Sequence, residues 1–562
     1  MLSPKKLLCA FAISFGFVLA MPFLTYAESI NVSNELLLTA YSSTGAEMVL
    51  TNDITMTQNL IINVDSSIDL NGHTLTLGDS VIAPFATLTI LDSSAEQTGT
   101  IINTGSFTVQ VGNSRNFGSL ILESGTLDAT GTAYGAIRNY GEVVMNGGVI
   151  RTNQYGLYAQ QDSVFTMNGG LIDVVDAYGT GILLSKPGSK FIMNGGKIQG
   201  LLSYVNSRGE ADGVAGVTAF KDTEVIINGG EINTFSSALM GNGSGAESGN
   251  DGRNVKFTVN GGTLSSAYSA AIYAPQQQGE TVITGGTLKG ITGIEVRAGN
   301  LTISGGEFIS IHDTYDATDY TNGMATWGAA ISVQQHTTKQ PIEVNISGGT
   351  FTAPVPLSIT NSLNYGDDIT SLVTVNVEGG TFNSDSGTPV ASFRSLPFIT
   401  GGIYSTSVIN LVADGYGEVL LEEGGTAVEV TPIHTVTIED GSDEDIAVAN
   451  DDAPYKDVVY FTANTREGLR RIVEIVDEDG NVTEVTGDSF VMPDSNVTIR
   501  VRYVEIVEEE DLAVPDTGKN SNNNVNGKIG SLSGVVALIA GILVMIGGVV
   551  HVIKNIIVGD VE

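Results

Sequence analysis

Cysteine is nearly absent: Cys9 is the only one in 562 residues, and it sits at the front of an apolar N-terminal run. No disulfide framework is possible, so the chain must draw its stability from a long buried core. Positive charge is scarce as well. Lys and Arg number 25 against 62 Asp and Glu, a formal net charge of −37, which argues against nucleic acid and anionic membrane surfaces as partners. Tryptophan occurs once, at Trp327.

Glycine, by contrast, is abundant and ordered. Ten Gly-Gly pairs stand in one frame, opening at Gly147, Gly169, Gly195, Gly229, Gly261, Gly285, Gly305, Gly348, Gly379 and Gly401, with steps of 20 to 43 residues. A minimum near 20 with variable excess is the signature of a solenoid coil carrying loop insertions. Before each pair the apolar residues alternate, as in Val143 and Met145, Phe165 and Met167, or Phe191 and Met193, which predicts a strand with one buried face. Only Thr281 and Pro397 break the earlier position. After each pair comes another large apolar residue, from Ile150 and Ile172 through Phe382 and Tyr404. A third segment recurs in the intervals, as in Gly156-Leu157-Tyr158-Ala159 and Gly181-Ile182-Leu183-Leu184.

Three short strands per coil predict an all-β fold: a right-handed parallel β-helix solenoid spanning 50–430, of about 15 coils and on the order of 70 Å long. Residues 28–49 are expected as its N-terminal cap. Asn146, Asn168, Asn194, Asn228 and Asn260 occupy one corner slot. There asparagine tolerates αL geometry and stacked amides bond from coil to coil, a structural ladder that should stop near Asn260.

Both ends speak of location. Lys5 and Lys6, an apolar run and Thr25-Tyr26-Ala27 make residues 1–27 a signal peptide. Near the other end, Val514-Pro515-Asp516-Thr517-Gly518 precedes a polar spacer and an apolar segment at 529–553, long enough to span a bilayer, then a tail at 554–562. This arrangement resembles the cell-wall sorting signal of Gram-positive surface proteins, the L-P-x-T-G type, with Val514 in the leucine place and little positive charge in the tail. The resemblance implies that a sortase cuts between Thr517 and Gly518 and links Thr517 to a cell-wall precursor. The alternative is a plain C-terminal membrane anchor; either puts the rod outside the cell.

Residues 434–507 form a further β-rich unit, with a hairpin turn at Asp479-Gly480-Asn481. Its closing run Phe490-Val491-Met492-Pro493, followed by Val497-Thr498-Ile499, resembles the small repeat modules of bacterial surface proteins that close in F-x-M-P-x-x-x-V-T-[VI]. That implies a stalk without catalysis. Residues 508–528 read as a flexible linker.

Binding specificity in a solenoid belongs to its insertions. Two leave the same corner four coils apart, carrying Tyr204, Arg208, Glu210 and Asp212 in one and His312, Asp313, Tyr315, Asp316, Asp319, Tyr320 and Trp327 in the other. Rings and carboxylates there suit an extracellular glycan or protein ligand; the competing role is to pack the loops onto the rod. A second family, Gly241 to Arg253 and Asn361 to Ser371, leaves the next corner. The acidic clusters Asp313, Asp316, Asp319 and Asp440, Asp443, Glu444, Asp445 lack the spacing of a Ca²⁺ loop and read as solvated; no other cofactor is indicated. Pectate-lyase-like β-helices include polysaccharide lyases and hydrolases, so the alternative to an adhesin-like or structural rod is a wall-attached enzyme of that class. The nearest carboxylate pair, Asp367 and Asp368, lies in an insertion, and Arg138, Arg151 and Arg297 each read as isolated surface residues, so no catalytic residue is assigned.

Overall fold

The computed structural model describes residues 29–506, apart from 208, 242–252, 276–278, 318–325, 336–339, 362–369, 394–396, 423, 431 and 443. Alternation of apolar and polar residues sets each coil. In Glu142–Met145, Val143 and Met145 turn inward and are fully buried; a three-residue corner follows, then Val149–Thr152 and Tyr155–Ala159. The chain then turns into Val164–Met167, which pairs in parallel with Glu142–Met145 in strict register. Stacking such coils yields three long parallel sheets, here called first, second and third in the order the chain visits them. Among the described residues they have 14, 16 and 13 strands, all parallel except the two of a closing hairpin in the second, the pattern of a parallel β-helix.

Inward side chains form continuous rows through the stack. In the first sheet Val143, Phe165, Phe191, Val225 and Phe257 lie in register, each fully buried. Each contributes on the order of 1.5–3 kcal/mol by leaving water. Thr281 continues that row; it too is fully buried, and its hydroxyl has no partner. Toward the C-terminal end the second-sheet row is aromatic. Phe308, Phe351, Phe382 and Tyr404 stack with ring centroids 4.9, 4.7 and 4.8 Å apart, and Tyr404 donates its hydroxyl to the Gly401 carbonyl at 2.9 Å.

The two glycines of each pair answer different demands. At the first, a side chain would strike the coil below: a Cβ on Gly195 would lie 2.5 Å from the Asn168 carbonyl oxygen, and one on Gly261 2.7 Å from that of Asn228. At the second the backbone is left-handed, with φ of +74° at Gly148, +81° at Gly170 and +82° at Gly196. The left-handed geometry expected of the corner asparagines therefore belongs to this glycine instead; none of the five asparagines has a positive φ. Glycine carries no Cβ penalty there, and the asparagine before the pair is left to bond its amide along the stack.

The expected cap, 28–49, contains the first two strands of the first sheet, Ile30–Val32 and Glu47–Leu50, and a helix, Glu35–Tyr41. Asn34 caps that helix by accepting from the Leu37 N–H at 3.1 Å, and Leu38 reaches into the core. At the other end the second sheet closes with an antiparallel hairpin, Tyr416–Leu420 with Thr426–Val430, laid on Gly402–Tyr404. Beyond it, strands between Ile433 and Glu505 form a five-stranded and a three-stranded sheet. Gly480, with φ +82°, turns the hairpin in which Val476 pairs with Val482, and Phe490 and Met492 of the closing motif are buried. By compactness Arg502–Ile506 group with Thr465–Ile472 as a second unit, where the Arg466 guanidinium lies 4.4 Å from the Tyr503 ring centroid. Among the described residues no helix is long and apolar enough to cross a membrane. The signal peptide, the linker with its 514–518 motif, the 529–553 segment and the tail lie outside the described residues.

Earlier coils lack the glycine pair and use carboxylates at their corners. Asp92, 3 % exposed, accepts from the backbone N–H groups of Gly99, Gly72 and Ser94 at 2.5, 2.8 and 3.1 Å. Burial raises its pKa, but those donors outweigh the burial and hold it below the ordinary 3.8. A carboxyl depressed on folding stabilises above its unfolded value and loses that contribution as pH falls through the folded one. Asp92→Asn should therefore lower the urea midpoint at neutral pH, and the gap to wild type should close as the pH drops below 3.8. Gly195→Ala and Gly196→Ala should each cost about 1–3 kcal/mol, the first by collision and the second by strain together with collision against the Gly169 backbone, as read from urea midpoints.

Candidate functional site

Corner length decides where this solenoid varies. From Met145 on, the corner between first and second sheets has three residues in every coil through Thr381. Excess residues go to the other two corners. Between second and third sheets lie the 14 residues from Leu201 to Val214 and the 18 from Ile311 to Gly328; between third and first lie the 14 from Asn242 to Val255 and the 11 from Ser362 to Leu372. Both variable corners border the third sheet, whose outer face is flanked by insertions on each side.

Outward residues of the third sheet follow one another in register as Tyr273, Glu295, Ser332 and Ser358. Pointing away from the core, they are nonetheless buried, Glu295, Ser332 and Ser358 completely. Glu295 is bonded on both oxygens: Oε1 accepts from Nε and Nη2 of Arg297 at 2.8 Å each, and Oε2 accepts from the Thr326 N–H at 3.0 Å. The Thr326 and Ser332 hydroxyls meet at 2.7 Å, and the Thr292 hydroxyl donates to the Thr326 carbonyl. Arg297, 1 % exposed, lies 5.3 Å from the Tyr273 ring centroid. Burial first, and the Glu295 charge after it, push the Tyr273 hydroxyl up to about 12 against the opposing pull of Arg297.

Arg297 is thus no isolated surface group, and its depth was invisible in sequence because only the folded insertion brings Thr326 over it. Arg151 is also paired, its Nε lying 3.6 Å from Asp173 on the second sheet. Arg138 lies 5.0 Å from the Tyr140 ring centroid.

The insertion at 201–214 is a β-hairpin, Ser203–Val205 with Ala211–Gly213. Tyr204 donates its hydroxyl to Asp212 Oδ2 at 3.0 Å, and its ring stacks on Tyr178 at 4.1 Å. Burial, then Asp212, raise the Tyr204 hydroxyl to about 12. The hairpin backs onto Phe235, since a Cβ on Gly213 would lie 2.7 Å from that ring. Phe235 stacks on Tyr268 at 5.4 Å, and Tyr268 meets Trp327 edge-on at 6.1 Å. Trp327 also meets the His312 ring edge-on at 4.9 Å, and its backbone exchanges hydrogen bonds with Asp316 at 2.7 and 3.0 Å. Tyr315 and Ser358 join hydroxyls at 2.8 Å.

Tyr204 and Trp327 therefore share one edge, bridged by rings that sequence reasoning passed over. Tyr178, Phe235 and Tyr268 each stand within a few residues of a second-sheet strand's end, a recurrence that period-2 reading of strands does not score. Beside these ring contacts Tyr178 and Tyr268 keep exposed surface, 70 % and 40 %. Arg208, Tyr320, Asp319, Asp367, Asp368 and Asp443 lie outside the described residues. At the base of the hairpin a cavity of 330 Å³ is lined by Val174, Val175, Leu201 and Leu202 with Asp173, Gln199 and Asn233.

At the glycine corner the asparagine amides form a ladder. Nδ2 of Asn168, Asn194, Asn228 and Asn260 each donates to Oδ1 of the preceding asparagine at 2.8 Å. Asn146 passes the chain to Glu123 at 2.8 Å, and Thr284 donates to Asn260 at 2.9 Å. Glu123 holds the same slot one coil earlier, in Leu122-Glu123-Ser124-Gly125, where a serine stands for the first glycine.

Compared with protein-family models, with curated proteins and with solved structures, the chain matches none. The reading of the site rests on its geometry.

Trp327, as the only tryptophan, reports on its insertion. Tyr315→Phe removes a hydroxyl bond of about 1 kcal/mol. Its Trp327 emission should shift red at lower denaturant than in wild type, while the far-ultraviolet circular dichroism midpoint of the coils stays in place.

Proposed function

We propose that this chain is a secreted, wall-anchored surface rod that binds an extracellular glycan or protein through its coil insertions. The rod is a right-handed β-helix, the hand that parallel crossover connections take almost without exception. The observation that carries the reading is the segregation of variability. One corner is held at three residues by the glycine pair, while both corners bordering the third sheet accept insertions of up to 18 residues. Such a scaffold fixes one side for stacking and leaves another for recognition.

The export signal and the Val514 to Gly518 motif set the location, with sortase and a cell-wall precursor as processing partners. Dense negative charge suits a displayed protein, keeping neighbouring copies apart in solution. Residues 434–507 serve as the stalk between rod and anchor.

Mass spectrometry of the C-terminal peptide released by muralytic digestion tests the anchoring. A peptide ending at Thr517 with wall-precursor residues attached is expected; an intact chain through Glu562 found only in membranes would refute sortase attachment. On cells displaying the protein, the Tyr320→Ala, Trp327→Ala double variant should adhere less than wild type. Equal adhesion would remove that insertion from the binding face.

A further inference from the structure

The cavity at the base of the 201–214 hairpin is open to solvent on the outer face of the second sheet, and its lining is of two kinds. Ile172 and Val174 point into the core, so Asp173 between them points outward; Gln199 and Asn233 follow it in register on the next two coils. These three polar side chains stand on the sheet. Val175, Leu201 and Leu202 line the cavity just past the strand ends, where the chain leaves the sheet. Leu201 and Leu202 are 56 % and 50 % exposed, two consecutive large apolar residues that the core does not use.

Hydrogen bonding along the polar row leaves defined groups over. Gln199 donates Nε2 to Asp173 Oδ1 at 3.1 Å, and Arg151 Nε lies 3.6 Å from Asp173 Oδ2. The first bond fixes the Gln199 amide and leaves its carbonyl oxygen as an acceptor. Among the described residues neither that oxygen nor the Asn233 amide has a hydrogen-bond partner.

A polar row beside exposed leucines calls for a small molecule with both characters on one frame. A pyranose has them: ring C–H groups on its faces, and hydroxyls on adjacent carbons that each donate and accept. The Asn233 amide, with donor and acceptor side by side, complements two such hydroxyls, and the Gln199 oxygen takes a third. At 330 Å³ the cavity lies at the small end of ligand pockets, about 300–1,000 Å³, which suits one sugar unit rather than a run of them. An extended peptide would look for a free strand edge, and here every strand is paired to the coils on both sides. The Asp173 carboxylate lines the cavity while Arg151, its counter-charge, stands outside the lining. An acidic unit is therefore repelled, and a basic one finds the carboxylate already paired.

We infer that this cavity binds one uncharged pyranose unit of an extracellular glycan, with Asn233 and Gln199 taking its hydroxyls and Leu201 and Leu202 its C–H face. This gives the surface-binding reading a ligand class and a place, and rests on it.

The test uses the full chain on immobilised gluco-, galacto-, manno- and N-acetylglucosamine oligomers and on galacturonate oligomers. Wild type is compared with Asn233→Leu, which keeps the volume and removes the amide, and with Leu202→Ser, which removes an apolar contact from an exposed position. Wild type should bind at least one of the uncharged oligomers. Each variant should bind it about tenfold more weakly, as the loss of one or two hydrogen bonds or of one buried apolar side chain predicts. Both urea midpoints should match wild type, and if one variant shifts, the other decides. Wild-type affinity in the variants would overturn the subsite and leave the surface-binding reading standing. Binding to galacturonate alone would overturn the uncharged assignment. Binding to none of the oligomers would overturn the glycan; adhesion by cells displaying the chain would then keep the broader reading with a protein ligand, and no adhesion either would bring that reading down too.

Discussion

Everything in this molecule depends on how closely one coil can approach the next. Parallel strands must lie about 4.8 Å apart for their backbones to bond, and a corner can hold that spacing only if nothing protrudes between successive turns. The first glycine of each pair meets that condition by having no side chain where the carbonyl of the coil below would collide with it. The second lets the chain turn at positive φ without strain. Register, the inward rows and the aromatic stack follow, because a fixed corner leaves the flanking strands no freedom to slip by a residue and turn their apolar faces outward.

The glycine frame made the rod legible in sequence from Met145 onward, since corner, strand alternation and third segment all repeat in phase. Before that point the same fold is written differently. Asp92 gathers backbone donors at a corner without a glycine pair, and Leu122-Glu123-Ser124-Gly125 keeps the frame with only its second glycine. The assignment of left-handed geometry to asparagine failed for a related reason. Asparagine and glycine both tolerate that conformation, and neighbouring positions in one corner compete for it; glycine takes it at lower cost.

The candidate face was half legible. Insertion lengths marked the two variable corners, because excess residues must leave the stack somewhere. The buried outer row did not show, since a strand reading sorts side chains only into inward and outward and treats outward as solvated. Glu295, Arg297 and Gln334 are outward by that rule and buried in fact, as in any place where a long insertion folds back over a sheet. The edge aromatics were likewise missed, lying just past the strands where periodicity stops being informative.

The asparagine ladder bears on how long such a protein lasts. Each rung is an asparagine followed by glycine, the pair in which the next backbone nitrogen most readily attacks the side-chain carbonyl and expels ammonia. Here the amides are tied at both ends to their neighbours, and the N–H groups of Gly147, Gly169, Gly195 and Gly229 are directed at carbonyls of the coil below. The geometry that holds the stack together also keeps nucleophile and carbonyl from meeting. The most perishable dipeptides of the ladder are thereby stored in the one corner whose length does not vary from Met145 through Thr381.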